Sequence, residues 1–180
     1  WSPDGHWLTF LSTFTGIFEV NIIKASGFGA RKHTDSGNPN MSPRWSRDGR
    51  IFYVEIHGDS RQLKWMNPDG SNQTFIAFNT TNSHWNPAIS PDVQNVAFHM
   101  NPDKSTAQGI FLVDSRGQQN PIQLTDGEDY LPSWSPDGKW IYFHRRTSNN
   151  QRILFRIEPN GENLTEVLNT PSQLSDVEWQ

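Results

Sequence analysis

Four aspartates recur at matched places along the chain: Asp4, Asp48, Asp92 and Asp137. They lie in the stretches WSPDG (1–5), WSRDG (45–49), ISPDV (89–93) and WSPDG (134–138). Carboxylates are hard oxygen ligands, and four brought together could hold a divalent cation. Their setting points to a plainer role. Pro presets φ for a turn, Asp accepts from backbone N–H groups just ahead of it, and Gly takes the conformation other residues resist. We read these residues as structural turn acids, held apart by the units that carry them. The third copy has Ile89 for Trp and Val93 for Gly, which predicts a looser or different turn there.

Six histidines occur, none with H-x-H or H-E-x-x-H spacing, so no metal motif is present. A G-x-S-x-G nucleophile elbow is absent. The chain has no cysteine, which removes thiolate nucleophiles, disulfides and Cys-ligated zinc. The reading is a non-enzymatic chain that requires no cofactor. A net charge of −4 without blocks of like charge argues against nucleic-acid binding. No apolar run approaches the roughly 18 residues needed to span a bilayer.

The elements behind these residues are strands. Hydrophobic content is only 33%, yet there are eight Trp and eleven Phe, a balance suited to half-buried β-structure. The turn motif starts at 1, 45, 89, 134 and 179, a period of about 44 residues that signals propeller blades. The repeats are 1–44, 45–88, 89–133 and 134–178, taken as one β-propeller domain over 1–180. In the fourth, 140–144, 153–157 and 164–168 read as strands, with a Pro159-Asn160-Gly161 turn. Counterpart second strands are 17–23, 62–66 and 110–113, and third strands 30–33, 74–78 and 121–124.

The run Pro132-Ser133-Trp134-Ser135-Pro136-Asp137-Gly138, with Ile141, Phe143 and the preceding Leu124-Thr125, resembles the TolB-type (WD40-like) propeller repeat. The likeness covers all four repeats. It implies an all-β propeller of four-stranded blades, part of a larger ring of six or more. It also implies that the strand ending at each Pro-x-Trp is innermost, with the uniform Asp-Gly turns on one face and the variable loops on the other. Related repeats occur in periplasmic TolB, in the propellers of prolyl-oligopeptidase-like enzymes and in oligogalacturonate lyases.

Under that arrangement the variable connectors carry the binding groups. The candidates are His84, Asn86, Asp129, Tyr130, Arg145, Arg146 and Asp176. Together they offer amides, aromatic rings, acids and a cationic pair, which suits a peptide segment or a glycan. His99 and His144 share one register and read as strand residues. The expectation is a scaffold that binds another protein through its loop face, as a periplasmic or extracellular subunit. Two alternatives stand beside it: a carbohydrate-binding or oligogalacturonate-lyase-like propeller, with His57, His84 and Arg145 as candidates by type, and the substrate-gating propeller of a prolyl-oligopeptidase-like peptidase.

Overall fold

A computed structural model describes residues 1–79, 86–100 and 108–168. Every regular element among them is a strand. No helix among the described residues is long and apolar enough to cross a membrane. The chain divides into two compact units, Trp1–Thr81 and Asn82–Gln180.

The first unit holds two antiparallel sheets. One is β1 (Trp7–Ser12), β2 (Glu19–Lys24) and β3 (Arg31–Lys32), in that order. The other is β4 (Asn40–Trp45), β5 (Ile51–His57), β6 (Ser60–Met66) and β7 (Thr74–Asn79). The second unit repeats the plan. Its sheets are β8 (Ala88–Ile89), β9 (Asn95–Met100), β10 (Gly109–Asp114) and β11 (Ile122–Gln123), then β12 (Asp129–Trp134), β13 (Ile141–Arg146), β14 (Arg152–Ile157) and β15 (Thr165–Leu168). Each sheet is an up-and-down meander, with strands consecutive in the chain paired antiparallel as neighbours.

The sheets are offset from the sequence repeats. Strands β4 and β12 end at Trp45 and Trp134, and each pairs with the strand that follows it, β5 and β13. The last strand of one sequence repeat therefore begins the next sheet. For this reason the first sheet has three strands among the described residues and the other three have four.

Both units bury the same face. In the first, Val20 and Ile22 pack on Ile51, Tyr53 and Met66, with Trp45 against them. In the second, Ile110 and Leu112 meet Ile141, Phe143 and Ile157, with Trp134 against them. The participants alternate along each strand, as period-2 geometry requires. Burying each such side chain stabilises by roughly 1.5–3 kcal/mol.

The four turns are built alike. Ser2, Ser46, Ser90 and Ser135 each donate their hydroxyl to the Asp two residues on, at 2.5, 2.6, 2.6 and 2.6 Å. The same carboxylates accept backbone N–H groups two residues ahead, as from Gln94 and Lys139 at 3.0 and 3.1 Å. These bonds, the serine hydroxyl first, hold the Asp92 and Asp137 carboxyls below their ordinary range. Among the described residues no group of three or more His, Cys, Asp or Glu is placed to hold a metal ion.

The third turn differs from expectation. Val93 is no looser than its glycine counterparts: its N–H bonds to Ser90 O at 2.9 Å, as Gly138 N bonds to Ser135 O at 2.9 Å. Val93 adopts φ +59°, within the left-handed region that Gly138 occupies at +72°. Its side chain is 7% exposed, so burial offsets the strain of a β-branched residue in that conformation.

Candidate functional site

Strands β12 and β13 bring four of the expected residues together. Asp129 lies opposite Arg145, and Tyr130 opposite His144. A bulge follows Tyr130, where Leu131 takes φ +56°. Arg145 donates Nε to Asp129 Oδ1 at 2.6 Å and Nη2 to Oδ2 at 2.7 Å. This planar two-point pair is the strong form of the interaction. The Asp129 side chain is 0% exposed, so the pair needs both of its members. Hydrogen bonding to Asp129 pushes the Arg145 pKa up despite partial burial.

Arg145 is also confined sterically. Its guanidinium lies 5.8 Å from the Phe143 ring centroid and 4.9 Å from that of Phe155. A Cβ on Gly127 would stand 2.6 Å from Arg145 Nε, so that glycine admits the cation. The sequence reading put Arg145 at the rim of a loop; the structure places it at the end of a strand, as an immobilised wall.

Tyr130 is the next residue along β12, opposite His144, and its side chain faces the other side of the sheet from the Asp129–Arg145 pair. Its ring meets His144 edge-on at 5.9 Å and has Arg146 at 5.9 Å and Arg152 at 5.5 Å. The phenol Oη is buried and has no hydrogen-bond partner. Arg146 also pairs with Glu128 at 3.0 Å, with both side chains solvent-exposed. A phenol whose ring has two guanidinium groups near it is chemistry suited to carboxylate and carbonyl oxygens.

Among the described residues, Asn86 is the one remaining expected site residue. Asn86 precedes β8 and is half-buried. His84 and Asp176 lie outside the described residues. His99 and His144 are buried strand residues, at 5% and 1% exposure. Sequence reading missed Glu128, Arg152 and Gly127. Glu128 and Gly127 stand beside Asp129 in the chain, a signal that could have been used; Arg152 is seven residues from Arg145 and meets Tyr130 only through β13–β14 pairing.

The equivalent positions in the first unit hold other chemistry. Asn40 lies opposite Glu55. Asn40 Nδ2 donates to Glu19 Oε2 at 3.1 Å, and the Thr34 hydroxyl donates to the same carboxylate. Glu55 pairs with Lys64, and His57 Nε2 lies 3.4 Å from it. Burial pushes the Glu55 carboxyl up, but Lys64, with Ser36 and His57, outweighs it and holds the group below its ordinary value. Burial, with Glu55 and Glu19 nearby, pushes the Tyr53 phenol up.

Comparison with known proteins places these sheets. The family model of the TolB beta propeller domain matches residues 1–180. The chain is 27% identical over 149 residues to a protein named uncharacterized peptidase YuxL, from Bacillus subtilis, a match covering 79% of this chain and 20% of the relative. Among solved structures, a putative TolB from Agrobacterium tumefaciens superposes with a TM-score of 0.77 at 19% identity, over 94% of this chain and 60% of the other. TolB from Acinetobacter baumannii superposes with a TM-score of 0.75 at 19% identity, over 92% and 41%. The chain thus spans only part of each relative's length. The meandering sheets are propeller blades, and the chain belongs to the TolB beta propeller domain family.

Proposed function

We propose that this chain is a non-enzymatic propeller scaffold of the cell envelope or extracellular space that binds another protein through the loop face bearing Tyr130. The blades are the support, and the Asp129–Arg145 pair ties together β12 and β13, the strands that carry Tyr130 and Arg146. The observation that carries this reading is Tyr130, whose hydroxyl is buried without a partner and whose ring has the Arg146 and Arg152 guanidinium groups near it. A buried polar group without a partner costs about 1–3 kcal/mol, a cost that a ligand oxygen would remove. An extended acidic segment of a partner protein supplies such oxygens and opposes the two cations. Asn86, His84 and Asp176 belong to the same face in this reading.

The test is binding of an arrayed set of Glu/Asp-containing peptides, with Lys-containing peptides as controls. Acidic peptides should bind, and Tyr130→Phe should weaken them by roughly tenfold, the worth of one hydrogen bond to a charged group. Equal binding by the variant, or preference for the basic set, would refute the reading. Chelator-sensitive cleavage of acidic oligosaccharides, lost in His84→Ala, would assign the chain to the lyase class instead.

A second reading is favoured by the likeness to YuxL, in which the matched region is one fifth of the relative. There the propeller would gate substrate for a peptidase domain elsewhere in a longer protein. Peptide hydrolysis by the full-length gene product, sensitive to a serine-hydrolase inhibitor, would establish it.

A further inference from the structure

One corner is tied differently in the two units. In each, the residue after a short outer strand, β3 or β11, meets the turn before the last strand of the next sheet. His33 holds that place in the first unit and Leu124 in the second. Their backbones match: His33 N donates to Val20 O and Leu124 N to Ile110 O, both at 2.8 Å. The turns match as well, with Gly70 N bonded to Asn67 O and Gly161 N to Glu158 O, both at 2.9 Å. A Cβ on Gly70 would lie 3.2 Å from His33 Cδ2, and one on Gly161 3.8 Å from Leu124 Cδ2. Leu124 makes an apolar tie, packed against the core that holds Ile110, Leu112 and Ile141.

His33 makes a polar tie. Its Nδ1 lies 3.0 Å from Arg31 O and its Nε2 2.9 Å from Pro68 O. Both partners are backbone carbonyls, which only accept. A neutral imidazole carries one N–H and one lone pair, so it can serve one carbonyl while its other nitrogen opposes an oxygen. The imidazolium donates to both. The charged groups around the ring pull in two directions. Arg31 and Lys32 precede it on β3 and oppose a positive ring, though Lys32 is paired with Asp35. Asp69, in the turn that the ring contacts, favours one. The Asp69 carboxyl is held below its ordinary range by the Ser71 hydroxyl first, then by the Ser71 N–H, and also by the His33 charge. The contacts of His33 with β2 and with Gln73 are to neutral groups, Val20 O and the Gln73 amide.

We propose that His33 is a protonation-dependent clasp between the first two blades. As imidazolium it bonds the end of β3 to the turn between β6 and β7. The neutral ring releases one of the two carbonyls, either the turn itself or the strand end that orients the ring. The folded chain holds this proton with two hydrogen bonds that the unfolded chain lacks. The clasp therefore contributes fully at acid pH, below the range near 6.5 where an unfolded histidine titrates, and is lost as rising pH takes the proton away. The second unit, tied by Leu124, has no such dependence at the matching corner.

Amide exchange followed by NMR tests this, read as protection factors so that the intrinsic pH dependence of exchange cancels. Between pH about 5.5 and about 8, protection of the Gly70 and His33 amides should fall by about tenfold, the worth of roughly one hydrogen bond. The matching Gly161 and Leu124 amides should keep theirs, and they show in the same sample that the chain is folded. His33→Leu copies the tie of the second unit and should make Gly70 protection independent of pH. In the wild-type chain at pH about 5.5, both His33 ring N–H protons should give resolved signals, because hydrogen bonding slows an exchange that is too fast to observe in a free imidazolium. These wild-type readouts stand even where the variant does not fold. Fewer than two ring N–H signals, equal Gly70 protection at both pH values, or a pH-dependent loss that persists in His33→Leu would each overturn the clasp.

Discussion

At one place in two sheets, the same backbone pairing carries opposite side-chain chemistry. Asn40 faces Glu55 in the first unit, and Asp129 faces Arg145 in the second. The first arrangement spreads one unit's acids over several neutral or cationic neighbours: Glu19 takes Thr34 and Asn40, while Glu55 takes Lys64 and His57. The second concentrates the interaction in one two-point ion pair whose acid has no exposed surface. Where Glu19 stands in the first unit, the second has Gly109, at φ +120°, with Thr125 O only 2.1 Å from any added Cβ. The blade backbone is thus a constant frame, and each blade must satisfy its own polar groups locally. A blade that does so with one pair is rigid and intolerant. One that does so with several partial contacts should lose less when any single one is removed.

The largest expected effect follows from that contrast. Asp129→Ala leaves Arg145 without its partner and should destabilise by about 3–5 kcal/mol, whereas Asn40→Ala should cost about 1–2 kcal/mol. Urea midpoints of the two variants measure the difference, and equal losses would remove the distinction between the two clusters. Next, Gly109→Ala should cost about 2–3 kcal/mol, because its Cβ meets backbone and its φ suits glycine alone. Glu19→Ala, at the matching position, should cost less than that, since Asn40 Nδ2 keeps Phe18 O and Asn38 O as acceptors.

The turns provide a finer test. Gly138→Val should cost about 1–2 kcal/mol for left-handed strain, with only Pro91 side-chain atoms, at 3.7 and 3.9 Å, near the new Cβ. Val93→Gly should change stability by less than about 1 kcal/mol, because relief of strain and loss of buried surface oppose each other. A large loss at Val93 would mean that its side chain, not the turn, holds the third blade.

The smallest effect concerns pH. The Asp92 carboxyl sits below its ordinary 3.8, through the Ser90 hydroxyl first and the Gln94 N–H second. A folded pKa below the unfolded one adds stability that is fully present above about 3.8 and is lost as pH falls through the lower folded value. Ser90→Ala should raise the Asp92 pKa and shrink this acid-side loss. An NMR titration of the Asp92 side chain that shows no rise would remove the serine from the turn's electrostatics.

Much of the blade was legible in the chain because its causes are local. The spacing of WSPDG stretches marks the period, and alternating runs such as IYFHRR mark strands, since turn preference and two-residue periodicity act over a few residues. Val93 shows the limit of that locality. Its residue type predicted a different turn, but burial against its own unit kept the turn unchanged. The role of Arg145 was hidden for a similar reason. Its sequence neighbours are Arg146 and a polar loop, while Asp129, Phe155 and Gly127 reach it only across paired strands.

What the amino-acid sequence determined by itself is the repeating β-meander, its turn acids and its aromatic packing positions, all products of interactions between residues close along the chain. Only the tertiary structure decided which strand joins which sheet, that Arg145 is locked to Asp129, and that Tyr130 has two guanidinium groups near its ring. Those outcomes depend on cross-strand register and on the neighbouring sheet, where residues more than a dozen positions apart share one buried environment and must satisfy each other.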